Sequence, residues 1–379
     1  MTALVSRRRA IVGTLSASVA AVLPSIWLEA ATSWHGYRTA MVIDGCSSPG
    51  NSMSEDSGAL AANLVEDVRQ SGLTCLNVTV GMVGTHPTDA AFAQAIADIA
   101  FWESQIDAHP GVFARARSVN DIDAAKQSGR TGLSYAFQDG VCFQEDLSRL
   151  EIFQRLGVRV IQPTYNRGNL LGDGCLESSN AGLSKTGVEA VERMNSLGIL
   201  VDLSHCGRQT AADAIRVSKQ PVAFTHTGCA ALADHPRNRT DAELRTVADK
   251  GGVAGIFFMP YLDVGKQANS AIVLRHLEHM IGVAGEEHVS VGTDGGVSAE
   301  VVDDAYKKSF AEVTKMRIDT GIAAPGETET GYLFASDLNT PRRLESLATL
   351  LSARGHSDAR IEKILGANLR RVFAETWKA

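Results

Sequence analysis

Short, almost continuous apolar runs recur along the chain, separated by longer stretches in which the apolar residues follow a helical spacing. The runs lack the alternation of polar and apolar residues that is typical of half-exposed antiparallel strands, so they predict parallel strands buried on both faces. We predict eight such strands, over Ala40–Asp44, Cys75–Gly81, Leu133–Gln138, Val158–Tyr165, Ile199–His205, Val222–His226, Val253–Met259 and Val289–Asp294.

The stretches between these strands favour amphipathic helices. Such helices are predicted over Gly58–Gln70, Leu147–Leu156, Gly187–Leu197, Arg208–Val217 and Asp241–Asp249. Eight strand-then-helix units in series favour an α/β fold, the (β/α)8 TIM barrel, with a doubly wound open sheet as the alternative. We expect one such catalytic domain over residues 34–379. Within it, residues 297–338 would cross the barrel mouth, followed by closing helices over Pro341–Arg354 and Ser357–Thr376.

Polar side chains stand where several of the predicted strands end. They are Asp44, Gln138, Tyr165, His205, His226 and Asp294. Because the carboxyl ends of the strands of a barrel converge on one face, and that face carries the active site, these side chains are predicted to lie together.

The first residues have the layout of an export signal. Arg7, Arg8 and Arg9 precede an Ala-rich run, and no charged residue occurs between Ala10 and Leu28. A basic patch followed by a modest apolar run is typical of a signal that is removed on export, and the paired arginines resemble a twin-arginine signal. We therefore expect cleavage near residues 30–33, removal of residues 1–33, and a periplasmic or extracellular protein without a stable membrane span. A retained membrane anchor is the alternative.

The composition is that of a globular protein, with 44% hydrophobic and 21% charged residues over 379 positions. It excludes a disordered chain and a small disulfide scaffold. The formal charge is −7, so no global basic field favours a nucleic-acid partner. The six cysteines form no CxxC pair, which argues against a zinc ribbon. Export would permit disulfides, but the spacing does not indicate which cysteines would pair, and most are expected to be small buried residues.

Two histidines carry the strongest local indication of chemistry. His205 and His226 end consecutive predicted strands, so their imidazoles would be neighbours at the barrel mouth. Neutral imidazoles in that position can bind a divalent metal ion through one ring nitrogen. Either histidine alone could simply cap its strand, but the matching pair favours a metal site.

Two further residues fit such a site. Arg237 lies on a loop shortly after His226 and offers a planar fork for a carboxylate, although an arginine ahead of a helix capped by Thr240 could equally be solvated. Asp294 ends the last strand and could transfer a proton beside a metal-bound water. Its alternative role is to bind backbone amides of the Gly295-Gly296 turn.

Several spaced motifs resemble the membrane dipeptidase (renal dipeptidase) family, peptidase family M19. They are Thr164-Tyr165-Asn166, Leu203-Ser204-His205, Thr225-His226-Thr227, Pro236-Arg237-Asn238, Gly292-Thr293-Asp294-Gly295 and the stretch from Ile364 to Phe373. The resemblance runs from about Met41 to Phe373 and implies a barrel that holds two zinc ions bridged by a carboxylate and a water.

Residue by residue, the resemblance assigns roles to four positions of this chain. It implies that His205 and His226 bind the second metal ion, that Asp294 contacts the first and manages a proton, and that Arg237 holds the terminal carboxylate of a dipeptide substrate. It is also compatible with a homodimer.

The chain departs from the family pattern at four positions. Cys46 and Ser48 stand where a His-x-Asp pair is expected, Gln138 replaces a bridging glutamate, and Tyr165 replaces a histidine that faces the scissile carbonyl. Because two adjacent dications need anionic ligands, a neutral glutamine makes a two-ion centre doubtful. Asp139 could replace the missing bridge only if the strand register shifted, since neighbouring strand residues face opposite sides.

We therefore expect one zinc ion on His205 and His226, completed by Gln138, Asp294, water or the Cys46 thiolate. An inert buried thiol at Cys46 is an equally good interpretation. Tyr165 would contact the substrate and donate a hydrogen bond to its carbonyl oxygen, or else pack in the mouth.

The sequence is compatible with three functions. The first is a zinc-dependent, dipeptidase-like hydrolase that cleaves an amide bond next to a free carboxylate. The second is a related amidase acting on a substrate other than a dipeptide. The third is a non-catalytic exported barrel that binds a carboxylated ligand.

Overall fold

Eight parallel strands follow one another around a barrel in the computed structural model, which describes residues 33–50 and 59–377. The sheet order is β10-β9-β7-β6-β5-β4-β2-β1-β11. The described strands are β1 Ile43–Ser48, β2 Cys75–Thr79, β3 Phe113–Arg115, β4 Thr131–Phe137, β5 Val158–Ile161, β6 Leu200–Asp202, β7 Val222–Cys229, β8 Asn238–Arg239, β9 Val253–Ile256, β10 Val289–Val291 and β11 Gly295–Gly296.

The cylinder closes through its last strand segment. The two strands at the ends of the sheet order, β10 and β11, are separated in the chain by residues 292–294 alone. In β11, Gly295 and Gly296 pair in parallel with Ser47 and Ser48 of β1. The predicted (β/α)8 barrel is therefore confirmed. Three short strands were not predicted: β3 pairs with β4, β8 with β7, and β11 with β1.

Helices cover the outside of the barrel, and the last of them closes one end. They are α1 Ala62–Ser71, α2 Thr88–Ala108, α3 Val119–Ser128, α4 Arg149–Leu156, α5 Lys185–Leu197, α6 Arg208–Val217, α7 Asp241–Asp249, α8 Ser270–Ala284, α9 Asp304–Asp319, α10 Arg343–Ala353, α11 Asp358–Glu362 and α12 Asn368–Thr376. The predicted bounds of α6 and α7 agree with the structure. The segment 297–338 was predicted as a connection and contains α9, which begins where the Asp303 side chain accepts from the Tyr306 amide.

Several predicted strands are longer than the observed ones. The runs that were predicted to reach Tyr165, His205 and Asp294 leave the sheet after Ile161, Asp202 and Val291. The reason is local hydrogen bonding: the Asp202 carboxylate, for example, accepts from the Ser204 amide and turns the chain out of the ladder. The polar residues therefore lie on short turns above the strand ends.

The amino-terminal end of the barrel is filled by the last helix. Leu369, Val372 and Phe373 of α12 are fully buried. They share one apolar cluster with residues of six strands, namely Ile43, Cys75, Val160, Leu200, Ala223 and Val253. The barrel is thus a packed core at this end, and its opposite end is left to carry polar side chains.

One predicted helix, Ser357–Thr376, is interrupted at Gly366. The backbone of Gly366 is extended, with φ 176°, between a π-helical turn over Lys363–Ala367 and α12. A Cβ atom at this position would lie 2.4 Å from the carbonyl oxygen of Met41. Only glycine therefore lets the chain pass this close to the segment that leads into β1.

The predicted export signal lies almost wholly outside the described residues, so the signal and the boundary at residue 33 stay predictions. Among the helices that the structure describes, none combines the length and the apolar character of a membrane span. All six cysteines are free thiols, five of them buried, as expected for most of them.

Gly366→Ala should lower the free energy of unfolding by about 1–3 kcal/mol, because the new methyl group overlaps backbone that cannot retreat. Gly282→Ala in α8 is the matched control. A Cβ at Gly282 meets no atom within 4 Å, so alanine should stabilise the helix by about 0.5–1 kcal/mol. Urea denaturation of both variants checks this, and equal stability of Gly366→Ala and the wild type would contradict the packing argument.

Candidate active site

The barrel mouth collects polar residues that the sequence placed at strand ends, and with them Cys46. Asp44, which was also predicted at a strand end, lies within β1 and is buried. Each lies in a strand or on the turn that follows it. Cys46 is in β1, Gln138 follows β4, Tyr165 follows β5, His205 follows β6, His226 is in β7 and Asp294 lies between β10 and β11. The parallel order of the strands brings these segments to one face.

Three of these side chains form a compact cluster. The Cys46 sulfur, one ring nitrogen of His226 and one carboxylate oxygen of Asp294 all lie within 4.8 Å of one another. The Cys46 Sγ atom is 3.5 Å from Asp294 Oδ1. Within residues 33–50 and 59–377, this is the one group of three His, Cys, Asp or Glu side chains close enough to hold a metal ion. We refer to it as the Cys46 cluster.

His226 has one ring nitrogen without a partner. Its Nδ1 atom is 2.9 Å from the Thr225 hydroxyl, whereas its buried Nε2 atom has no hydrogen-bond partner. Burial, together with the nearby Arg237 guanidinium, lowers the pKa of His226 well below its usual value. The imidazole is therefore neutral, and a buried polar atom of this kind indicates a missing ligand or ion.

His205 lies beside His226 but is engaged on both sides. The two ring centroids are 5.0 Å apart. The Nδ1 atom of His205 is 2.6 Å from Asn166 Oδ1, and its Nε2 atom is 3.0 Å from Arg237 Nη2. Because an amide oxygen only accepts and a guanidinium only donates, His205 carries its proton on Nδ1. In this arrangement it offers no free nitrogen to a cation, and its predicted role as a ligand stays a prediction.

Arg237 is a buried cation at the mouth, with 1% of its surface exposed. Its Nη1 group donates to the carbonyl of Ser204 and its Nη2 group to His205 Nε2, and both acceptors are neutral. The guanidinium also lies 5.9 Å from the centre of the Phe257 ring. A desolvated guanidinium held by neutral acceptors is suited to bind a carboxylate.

Asp294 completes the cluster in an unusual backbone conformation. Its φ is 60°, and its amide donates to the Cys46 carbonyl at 2.8 Å. Burial raises the pKa of Asp294 to about 6, against the opposing effect of Arg237. Burial and the neighbouring Asp294 also raise the pKa of the Cys46 thiol well above its usual value. The metal-free site therefore holds a neutral thiol and a carboxyl group that titrates near the range of general acid–base catalysis.

Comparison with known proteins decides the family. The sequence model for membrane dipeptidase, peptidase family M19, matches residues 37–316. The chain belongs to the membrane dipeptidase family. This confirms the family that the sequence motifs indicated, and it supports the prediction of a hydrolase of dipeptidase type.

Individual relatives of the family differ in how much of their length is matched. Dipeptidase verJ of Clonostachys rogersoniana is 32% identical over 221 residues, which cover 58% of this chain and 48% of that protein. The match thus spans about half the length of verJ. An uncharacterized protein in the pqqA 5' region of Klebsiella pneumoniae is 26% identical over 272 residues, covering 69% of this chain and 88% of that protein.

A solved structure is similar over nearly the whole chain. It is an amidohydrolase from Pseudomonas aeruginosa, with 29% sequence identity and a TM-score of 0.77, and the match covers 94% of this chain and 99% of that one. The barrel is therefore shared along almost the entire length of the chain.

The departures from the membrane dipeptidase pattern have visible structural consequences. Gln138 Nε2 donates to Thr79 Oγ1 at 3.0 Å and lies 3.3 Å from Cys46 Sγ, so the nitrogen of this amide faces the cluster. Asp139 accepts from the Gly84 amide and from Asn169, both at 2.8 Å, and does not replace the bridge. Ser48 Oγ contacts the carbonyl of Pro49. These residues supply no second anion to the Cys46 cluster.

Tyr165 stacks on His205, with ring centroids 4.1 Å apart. Its hydroxyl accepts from both terminal nitrogens of Arg317 at 3.3 Å. Arg317 is fixed in turn by Glu327, whose Oε2 atom is 2.7 Å from Arg317 Nε, and Glu327 Oε1 accepts from Tyr261. The segment 297–338 therefore reaches the mouth through Arg317, as the prediction that it crosses the mouth requires.

Some residues of the site were missed from the sequence. Arg317 and Glu327 lie in and after α9, far from any strand end, and no motif marks them. Asn166 was part of a quoted motif but received no role. Asp202 stands in the same run as His205, and its buried carboxylate could have been noticed as a polar residue inside an apolar strand.

Asp294→Asn should become more stable relative to the wild type as pH rises. A carboxyl group whose pKa is raised to about 6 on folding binds more protons in the folded chain than in the unfolded chain between pH ~4 and ~6. The wild type therefore loses stability across this range, whereas a neutral amide does not. Between pH 4 and pH 7 the metal-free variant should gain about 1–3 kcal/mol relative to the wild type.

Urea denaturation at both pH values measures this difference. Glu329→Gln, at an exposed carboxyl, is the control and should change little with pH relative to the wild type. A constant difference between Asp294→Asn and the wild type would show that the Asp294 pKa is not raised.

Proposed function

We propose that this chain is a zinc-dependent hydrolase of dipeptidase type, which cleaves an amide bond next to a free carboxylate and uses one metal ion. The observation that carries the proposal is the cluster of His226, Cys46 and Asp294, together with the unpartnered Nε2 atom of His226. Family membership supports the reaction class.

The residues of the Cys46 cluster fit one zinc ion. They offer nitrogen, sulfur and oxygen donors, a mixture that suits Zn²⁺. Ligand atoms on one zinc ion lie about 3–4 Å apart. Cys46 Sγ and Asp294 Oδ1 are 3.5 Å apart, and all three candidate atoms lie within 4.8 Å of one another. The chemistry that a bound Zn²⁺ supplies is polarisation of the scissile carbonyl and acidification of a water molecule.

A second ion has little support among the described residues. His205 accepts from Arg237, and Gln138 is neutral and turns its amide nitrogen towards Cys46. Arg237 adds a fixed positive charge beside His205, which further disfavours a second cation there. We therefore take His205 as the residue that orients Arg237, and not as a ligand.

The residues in and around the cluster have separate roles in amide hydrolysis. Arg237 binds the free carboxylate of the substrate, since its buried guanidinium has only neutral acceptors in the structure. Asp294, whose carboxyl group lies beside Cys46 and His226, takes up and returns a proton. The Tyr165 hydroxyl accepts from Arg317, so its own proton is free to be donated to the developing oxyanion.

Cys46→Ser should weaken zinc binding by at least tenfold, because it replaces the soft sulfur ligand. The metal-free wild type should bind about one equivalent of Zn²⁺ in a titration followed by calorimetry. Cys142→Ser is the matched control, since Cys142 is a buried thiol outside the cluster and its loss should leave zinc affinity unchanged. Two equivalents of bound zinc, or equal affinity in Cys46→Ser, would contradict the one-ion site.

Arg237→Gln should remove the preference for a free carboxylate. A charge-assisted hydrogen bond contributes about 1.5–3 kcal/mol, so amidation of the substrate carboxyl terminus should lower kcat/KM of the wild type by about 10–150-fold. In Arg237→Gln the free and amidated dipeptides should react at similar rates.

The same substrate panel distinguishes the two other functions. Turnover of acylated amino acids or lactams without turnover of dipeptides would favour an amidase. Tight binding of carboxylated ligands without turnover, unchanged in Asp294→Ala, would favour a non-catalytic binding barrel and contradict the proposed hydrolase.

A further inference from the structure

A buried carboxylate joins the two strands that carry the histidines. Asp202 ends β6 and is 2% exposed. Its Oδ1 atom accepts from the Ser204 amide at 3.1 Å, from the Ser204 hydroxyl at 2.6 Å and from the Thr225 amide at 3.0 Å. Its Oδ2 atom is 2.5 Å from the Thr225 hydroxyl. Four donors converge on one carboxylate, so Asp202 acts as an acceptor.

This arrangement determines which way the Thr225 hydroxyl points. A hydroxyl has one proton, and here that proton is directed to Asp202 Oδ2. The Thr225 oxygen is also 2.9 Å from Nδ1 of His226. With its proton already donated, the oxygen can only accept in this second contact. The His226 imidazole must therefore carry its hydrogen on Nδ1, which leaves the lone pair on Nε2.

We propose that Asp202 is a positioning residue that acts through Thr225 to fix His226 in the Nδ1–H tautomer, with Nε2 directed to bind a cation together with Cys46 and Asp294. The role of the cation rests on the proposed function. The tautomer does not, because it follows from hydrogen bonds within the chain. The two can therefore be tested separately.

The structure contains a second arrangement of the same kind that lacks the imidazole. Asp44 accepts from the Thr293 amide at 2.9 Å and, on its other oxygen, from the Thr293 hydroxyl at 2.7 Å. The residue after Thr293 is Asp294, whereas the residue after Thr225 is His226. Asp44 therefore provides a matched control: the same buried bond to a neighbouring threonine, with no histidine tautomer to set.

Asp202→Asn should keep the shape of the side chain but reverse its hydrogen bond to the Thr225 hydroxyl, so that the new amide group donates to Thr225. The amide oxygen would keep the three donors that now bind Oδ1, which leaves the amide nitrogen to donate to Thr225. The Thr225 proton would then turn to Nδ1 of His226 and force the hydrogen of the imidazole onto Nε2. A protonated Nε2 cannot bind a metal ion, so zinc affinity should fall at least tenfold, within the range typical of groups that orient a metal-binding histidine.

The tautomer can be read directly by ¹⁵N NMR of metal-free protein with labelled histidine, with the His226 signals identified from a His226→Gln variant. We expect the Nδ1–H pattern in the wild type and the Nε2–H pattern in Asp202→Asn. Thr225→Ser keeps the hydroxyl and should keep the wild-type pattern and zinc affinity, whereas Thr225→Val should lose both. Asp44→Asn should leave the His226 pattern unchanged.

The possible outcomes test the role of Asp202 separately from the proposed zinc site. An Nε2–H pattern in the wild type, or an unchanged pattern in both Asp202→Asn and Thr225→Val, overturns the role of Asp202. If Asp202→Asn does not fold, the contrast between Thr225→Ser and Thr225→Val gives the same decision. If the tautomers follow expectation but the wild type binds no zinc, the positioning role stands and the proposed zinc site fails.

Discussion

Two buried carboxylates hold the barrel mouth in place. Asp44 and Asp202 each bind both the amide and the hydroxyl of a threonine: Thr293, between β10 and β11, and Thr225, in β7. Because a buried carboxylate is strongly destabilising unless it is fully hydrogen-bonded, neither threonine can shift without loss of several bonds. The residues that follow these threonines are His226 and Asp294, two of the three members of the Cys46 cluster. The positions of these two members are thus supported by carboxylates that are not themselves part of the cluster.

The repetitive part of the fold could be predicted from the sequence, since buried parallel strands leave a clear apolar pattern. The ends of those strands could not be predicted equally well. The strand predicted over Ile199–His205 extends past Asp202, where β6 leaves the sheet, and hydrogen bonds of Asp202 decide the boundary. Hydrogen bonding by side chains does not change the hydrophobic pattern of the sequence. The pattern therefore cannot predict where such bonding ends a strand.

The candidate site, like the fold, could be predicted from the sequence only in part. Strand-end position identified His226 and Asp294, the family resemblance added Cys46, and the convergence of strands explains why the three meet. It could not indicate that Arg237 occupies the Nε2 side of His205, because that contact depends on how a loop folds back over β6. Arg317 was missed for a related reason. It reaches Tyr165 from α9, and sequence distance between the two residues, 152 positions, gives no hint of the contact.

These contacts connect the segment 297–338, which crosses the barrel mouth, to the polar side chains of the candidate site. Glu327 fixes Arg317, Arg317 donates to Tyr165, Tyr165 stacks on His205, and His205 accepts from Arg237. A shift of the segment 297–338 would therefore move Tyr165 and alter the support of Arg237 at the same time. If Arg237 binds the substrate carboxylate and Tyr165 the carbonyl, the two contacts that orient a substrate are not independent. Substrate choice would then depend on how this segment packs, as well as on the side chains at the strand ends.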